Sequence, residues 1–300
     1  MDSFFQDLRY AARGLVRASG FTAVSIITLA LGIASTTVIF TLMNAFLLRP
    51  LPVHEPDRLV TVEEIRRGGR STQQMGQEAT PYQRYRDIRA ATGSVFSGLA
   101  AQRQNNHSVR IDGPARMVPG VIASDNYFDV LGVRPAMGRL FSGDDATAPV
   151  AVVSHRLWRD QLGGDPRAIG RTLHLDGRPM EVIGVAPPGF GGTLVGLVAE
   201  VWAPLEGYEA ATPEGATTSR PWVLTFARLQ PGVELGQAVA ALETVARQLP
   251  AEDPAREFVD VRLRQLSGVP ASLRTPLLGF MGMLMATAGL LLATRSGKVP

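Results

Sequence analysis

The chain has 300 residues, 45% of them apolar, with 30 Lys and Arg against 27 Asp and Glu and no cysteine. That length and composition suit one or two folded domains together with membrane segments, and the lack of cysteine excludes disulfides and thiolate sites. The surplus of positive charge does not describe a nucleic-acid binder: residues 1–17 hold three arginines against two aspartates, Arg295 and Lys298 lie in the tail, and the 25 basic and 25 acidic residues between them balance, where phosphate recognition would need a concentrated basic face.

Within residues 1–20, Phe4, Phe5, Leu8, Ala11, Ala12, Leu15 and Val16 recur at three- and four-residue spacing, which gathers them on one helical face. Two readings fit: an amphipathic helix lying on the membrane surface, or a cytoplasmic helical extension. From Arg17 to Arg49 no charge interrupts 31 consecutive residues. About 20 residues suffice to cross a bilayer core, so residues 21–48 are expected to be a transmembrane helix. Gly32-Ile33-Ala34 resembles the cleavage site of a signal peptide, but the apolar run continues through Leu48, and an uncleaved anchor fits better. The small-xxx-small pairs Ala30/Ala34 and Gly32/Thr36 would admit a second helix closely.

Arg49-Pro50-Leu51-Pro52 ends that helix. Arg58 to Val62 then reads as a strand, Gly68 to Gln77 as a polar loop, Thr80-Pro81 as a helix start with Tyr82, Tyr85 and Ile88 at helical spacing, and Val95 to Ala101 as a second strand. The same order recurs late in the chain, with a strand at Val223–Leu229, an amphipathic helix at Leu235–Leu249 carrying Val239, Leu242, Val245, Ala246 and Leu249 on one side, and a strand at Val259–Leu263. Two such units predict an α+β fold, a four-stranded sheet with its helices on one face. They assign residues 57–112 and 221–268 to this layer and residues 113–220 to a β-rich insert.

In the insert, Ser124 or Asp125 is expected to cap a short helix and Ser154 the helix His155–Leu162. Pro149–Val153 reads as a strand, and Asp176-Gly177 as the turn of a hairpin between Arg171–Leu175 and Met180–Val185. A second uncharged run, residues 275–294, just reaches spanning length before Arg295 and Lys298. Basic residues beside both spans place both termini, including the tail 295–300, in the cytoplasm and residues 49–274 outside it.

No catalytic, cofactor-binding or metal-binding residue stands out, and no enzyme activity is expected. There is no phosphate-cradling GxxxxGK[ST] loop, so energy would come from another chain. Gly189-Phe190-Gly191-Gly192 lacks the spacing of a dinucleotide fingerprint and reads as a loop. His54, His107, His155 and His174 have no metal-ligand spacing and read as surface or capping residues. Asp144-Asp145 reads as a solvated turn rather than an acid–base pair, and Ser124 and Ser154 lack the GxSxG context of a nucleophile.

The segments DLRYAARGLVRASGFTAVSIITLALGIASTTVIFTLMNAFLLRPLP, YFDVLGVRPAMGRLF, VAVVSHRLWRDQLGGDPRAIGRTLHLDGRPMEVIGVAPPGF and ARLQPGVELGQAVAAL together resemble permeases of the MacB/FtsX type of ABC transporter. The resemblance implies a MacB-like periplasmic core made of a porter-type α+β part with a β-rich insert, in a bacterial inner-membrane protein. It also implies a separate cytoplasmic ATPase, a homodimer or pairing with another permease half, and a periplasmic adaptor. Members of the family carry further membrane helices after the core, so a short permease, a split half or a truncated product is expected here. The alternative to a permease subunit coupled to an ATPase is a two-span, membrane-anchored binding or scaffold module without energy coupling.

Overall fold

The computed structural model describes residues 52–67, 73–74, 77–194, 198–211, 222–249 and 257–266, with scattered helical positions between 20 and 41 and between 279 and 283. The chain divides into two compact units, residues 50–272 and a second comprising residues 1–49 and 273–300. In the latter, Ile26, Ile27, Ile33 and Val38 are helical and more than half exposed. The Thr37 and Thr41 hydroxyls donate to the carbonyls of Ile33 and Thr37, each at 2.8 Å. Most of the expected spans 21–48 and 275–294, the amphipathic helix before them, the tail and much of the polar loop after Gly68 lie outside the described residues, among which no helix is long and apolar enough to cross a membrane.

The elements of the larger unit run as follows. Strands β1 (Leu59–Arg67), β2 (Gln73–Gln74), β3 (Gln77–Glu78) and β4 (Thr80–Pro81) precede helix α1 (Tyr82–Ala91). Then come β5 (Phe96–Arg110), β6 (Arg116–Ala123), α2 (Tyr127–Leu131), β7 (Met137–Gly138), β8 (Val150–Val153), α3 (His155–Gln161), β9 (Thr172–Leu175), β10 (Arg178–Val185), β11 (Val201–Pro204) and α4 (Leu205–Ala210). Strand β12 (Trp222–Leu229), helix α5 (Leu235–Gln248) and strand β13 (Glu257–Gln265) complete it.

Strands β13, β1, β12 and β5 lie side by side in that order, all antiparallel, and are the strands of the two expected strand–helix–strand units. Val60 and Val62 of β1 and Ala227 and Leu229 of β12 join Tyr85 and Ile88 of α1 and Ala238, Leu242 and Ala246 of α5 in one core. Helix α5 starts on a capping box between Glu234 and Gln237. Its buried stripe follows Ala238, Leu242 and Ala246, while Val239 and Leu249 pack at the margin. Helix α1 begins one residue later than a Thr80 cap would place it, because the main chain of Thr80 and Pro81 is spent pairing with Val223 and Trp222. Beneath α1 the side chains of Arg84 and Glu64, 2% and 3% exposed, form a hydrogen-bonded ion pair.

The strands of the β-rich part of the chain are joined to the four-stranded layer through β5. Its residues 96–102 pair with β12 and residues 102–109 with β6, and Val109 and Arg110 pair with β9. From β6 the ladder passes to β11, β8, β10 and β9 and back to β5. These six strands therefore close on themselves, which leaves no open ladder among them. Alternate residues enter two cores: Ile122, Ala151, Val153, Val182 and Val201 pack in one, and Val121, Ala123, Val150, Val152, Ile183 and Trp202 in the other. Burial on both faces explains why these strands read as unbroken apolar runs. The β9–β10 hairpin turns at Asp176-Gly177, both with positive φ (50° and 82°), the geometry of a two-residue primed turn.

Candidate functional site: a guanidinium clasp where the chain enters the module

The residues that follow the first apolar stretch are held on the folded unit by two arginines. Arg228, near the end of β12 and 8% exposed, donates from Nε to the Val130 carbonyl at 2.8 Å, from Nη2 to the His54 carbonyl at 2.6 Å and from Nη1 to the Glu55 carbonyl at 3.3 Å. Arg58 answers in the other direction, with Nε and Nη2 on the Leu229 carbonyl at 3.1 and 2.6 Å and Nη1 on Glu55 Oε2 at 2.5 Å. Burial and then the charge of Arg58 hold the Arg228 pKa below the usual arginine range, against the pull of Glu55.

The backbone completes the joint. The His54 N–H donates to the Leu131 carbonyl at 3.1 Å, and the Leu266 N–H to the Leu59 carbonyl at 2.8 Å. Gln265 Nε2 donates to Asp57 Oδ1 at 2.9 Å. Where the chain enters the unit and where it leaves β13 are thus tied together at one end of the sheet. Gly132 closes α2 at φ 65°, and a Cβ there would stand 2.6 Å from that of His54; only glycine leaves room for the incoming chain.

Two clefts flank α1. One, of about 330 Å³, is lined by Tyr82, Arg86, Arg89, Asp125, Leu205 and Glu206. The other, of about 390 Å³, is lined by Arg89, Thr92, Phe96, Asn126, Asp129 and Arg228. Arg89 lines both, and it makes a two-pronged ion pair with Asp125 of the first, at 2.5 and 3.2 Å. Burial raises the Asp129 carboxyl, and the charge of Asp125 raises it further. Burial also raises the Tyr82 hydroxyl, helped by Glu206.

At the junction of β5, the β9–β10 turn and α4, His107 Nδ1 donates to Asp176 Oδ2 at 2.6 Å. The other oxygen of that carboxylate accepts the Ser108 N–H at 2.7 Å, and the Tyr208 hydroxyl donates to Oδ2 at 2.8 Å. Arg178 donates to Tyr208 Oη at 3.0 Å and lies 4.2 Å from its ring centre. Burial raises the Asp176 carboxyl, but the bonds from His107, Ser108 and Tyr208 together lower it more, so it sits below the usual carboxylate range. Burial followed by Asp176 pushes the Tyr208 hydroxyl up to about 12. A depressed folded-state pKa contributes stability that is present above the ordinary carboxylate value and lost as pH falls through the folded one. Asp176→Asn is therefore expected to cost about 1–3 kcal/mol near neutrality, with a deficit that shrinks below roughly pH 4. Urea unfolding of both proteins across pH 3 to 7 measures it, and a pH-independent deficit would refute the assignment.

Several sequence expectations are corrected at this level. His107 is neither exposed nor a cap but 4% exposed and paired, with Nε2 lacking a hydrogen-bond partner among the described residues. His174 likewise has a buried, unpartnered Nδ1. His54 is exposed, and His155 packs edge-on against Trp158. Asp145 does not sit in a solvated turn: it is 5% exposed, accepts both prongs of Arg139 at 2.5 and 2.8 Å, and caps Ser142 N–H. Its pKa is lowered by the Arg139 bonds above all. Ser154 caps α3 as expected, its Oγ accepting from the Leu157 N–H at 3.0 Å. Neither Ser124 nor Asp125 caps α2; Asn126 holds that place, while Ser124 Oγ accepts the Ala101 N–H and donates to Asn126. Residues 189–192 form a loop that buries Phe190. Among the described residues no cluster of three potential metal ligands occurs. The clasp went unmarked in sequence, where Arg228 is only one residue of the strand expected at Val223–Leu229.

A four-stranded layer that shares its longest strand with a closed ring, and whose chain enters and leaves at one clasped end, defines a mixed α/β module. The chain belongs to the MacB-like periplasmic core domain family, whose model matches residues 22–245; the MacB-type resemblance read from sequence stands. Solved structures to which it is similar include the periplasmic region of MacB from Actinobacillus actinomycetemcomitans, at 13% identity over 73% of this chain and 92% of that one, TM-score 0.48. Another is the extracellular domain of the noncanonic ABC-type transporter YknZ from Gram-positive bacteria, at 13% identity over 67% of this chain and 100% of that one, TM-score 0.47. No curated protein matches the chain.

Proposed function

We propose that this protein is a permease subunit of an ABC-type efflux or mechanotransmission complex, whose core outside the cytoplasm responds to a separate cytoplasmic ATPase. The observation that carries the reading is the family match, which begins inside the uncharged stretch 18–48 and continues through the module to α5. Supporting it, the described residues of that stretch are helical with exposed isoleucines, and the Thr37 and Thr41 hydroxyls return to carbonyls four residues back. A hydroxyl that bonds its own helix needs no water and suits a hydrocarbon setting.

In this reading residues 21–48 and 275–294 span the inner membrane, residues 49–274 lie outside and both termini are cytoplasmic. Two copies, or this chain and another permease half, assemble with the ATPase and dock a periplasmic adaptor. Affinity purification of the tagged chain from detergent-solubilised membranes is expected to recover an ATPase; repeated recovery of the chain without one would count decisively against coupling. Since the chain has no cysteine, Gly113→Cys is expected to react with an impermeant maleimide in whole cells and a cysteine added after Pro300 only after lysis. The two charge-lined clefts beside α1 favour a second reading, an anchored binding module without energy coupling. Ligand capture that ignores ATP would select it.

A further inference from the structure

Main-chain segments remote in sequence converge on one side chain. Arg228 stands in a strand whose register against β1 is set by four residue pairs, from Leu59↔Arg228 to Val62↔Thr225. From there it reaches the carbonyls of His54 and Glu55 in the incoming segment and of Val130 in α2. All three acceptors are backbone oxygens. A carboxylate can swing away by changing its rotamer, whereas a carbonyl leaves only if its segment moves. The guanidinium fork fixes direction as well as distance, which an ammonium on a flexible stem would not.

The three anchored parts belong to different structural regions. His54 stands six residues beyond Leu48, the last residue of the first apolar stretch. Strand β12 is a central strand of the four-stranded layer, with β1 on one side and β5 on the other. Helix α2 is seated by Tyr127, Phe128, Val130 and Leu131 in the core that also contains Val121, Val152 and Trp202 of the ring. Arg58 grips β12 at Leu229 from the opposite partner, so the incoming segment both holds the strand and is held by it.

We infer that Arg228 is a positioning residue that locks the incoming segment, β12 and α2 into one body, so that a displacement of the segment after the first apolar stretch reaches the four-stranded layer and the strand ring together. The inference rests on the permease reading only for the source of that displacement. Without the fork, the His54 N–H bond to the Leu131 carbonyl alone among these hydrogen bonds would hold the segment to α2, a single bond that a displacement can break, while β12 still followed through Arg58.

The test is hydrogen exchange on the full chain in detergent or nanodiscs, with its ATPase, for wild type, Arg228→Lys and Arg228→Gln, with and without a non-hydrolysable ATP analogue. Without nucleotide, Arg228→Gln is expected to speed exchange of the His54 amide roughly tenfold or more through loss of the fork's bonds, with Arg228→Lys between it and wild type and strand β8 protected in all three. With nucleotide, wild type is expected to respond at residues 53–58 and 127–132, and Arg228→Gln at 53–58 alone. A response at 127–132 that survives in Arg228→Gln overturns the inference, as does an unchanged His54 amide. If no ATPase binds and nucleotide changes nothing in wild type, the permease reading falls, and the nucleotide-free comparison still decides the clasp.

Discussion

Phe128→Ala is expected to lower the unfolding free energy by about 3–5 kcal/mol, the range for truncating a fully buried aromatic residue. The ring is 1% exposed and has four aromatic neighbours: Tyr127 at 5.2 Å between centroids, Phe141 at 4.8 Å, and Phe190 and Trp202 at 6.1 Å each. Its loss removes transfer free energy and leaves a hole that stiff neighbouring rings cannot collapse into. The consequence reaches the clasp, because α2 is five residues long and presents the Val130 and Leu131 carbonyls to Arg228 and His54. Chemical denaturation of the full chain followed by tryptophan fluorescence would measure it, since Trp202 sits beside this ring. Phe128→Leu should recover more than half of the loss. A cost under about 1 kcal/mol for the alanine variant would mean that the site repacks and that α2 is not anchored as described.

Much of the layer around β1 and β12 was legible because its signals are local. The apolar stripe along α5 and the period-two pattern of Val259 to Leu263 each depend on residues a few positions apart. The Asp176-Gly177 hairpin is legible for the same reason. Strands β6 and β11 were not. In β6, Pro119 and Gly120 are residues that ordinarily argue against a central strand, yet each has a tertiary reason. The Pro119 carbonyl accepts the Glu200 N–H at 2.7 Å, and a Cβ on Gly120 would come within 2.8 Å of Val201 Cγ1 and 2.9 Å of His107 Cδ2. Strand β11 is four residues and ends in proline, too short for any periodicity to declare itself. The length of β5 was hidden because it changes partners at Gln102, so its burial pattern belongs to two environments in turn.

The functional residues were harder to read for a related reason. An arginine near the end of a strand ordinarily faces water, and nothing local to Ala227-Arg228-Leu229 reveals that its partners are carbonyls some 98 and 174 positions away. His107 and Asp145 misled in the same manner. Their burial is set by Asp176 and Arg139, contacts formed only after the ring closes or a loop folds back. Polar residues declare their surroundings poorly, since an exposed charge and a buried, satisfied one have the same sequence signature.

The ion pair beneath α1 is the other place where a single substitution should be severe. Glu64→Ala is expected to destabilise the protein by about 3–5 kcal/mol, because it strips the counter-charge from a buried guanidinium. In the native state Arg84 Nε donates to both Glu64 oxygens at 3.2 and 3.1 Å, and Nη2 to Oε1 at 2.8 Å. The same Nη2 donates to the Ala246 carbonyl at 2.8 Å. One guanidinium therefore joins β1, α1 and the last turn of α5, where helix carbonyls lack intrahelical donors and favour a cation. The Ala246 bond would survive in Glu64→Ala but could not offset the charge left in an apolar layer. Replacing both partners with apolar residues of similar volume, Glu64→Leu with Arg84→Met, removes the stranded charge and is expected to bring stability back to within about 1–2 kcal/mol of wild type. A double-mutant cycle by urea unfolding gives the coupling directly. If the double variant were as unstable as Glu64→Ala, then the α1–α5 contact, not the fate of the buried charge, would dominate the loss.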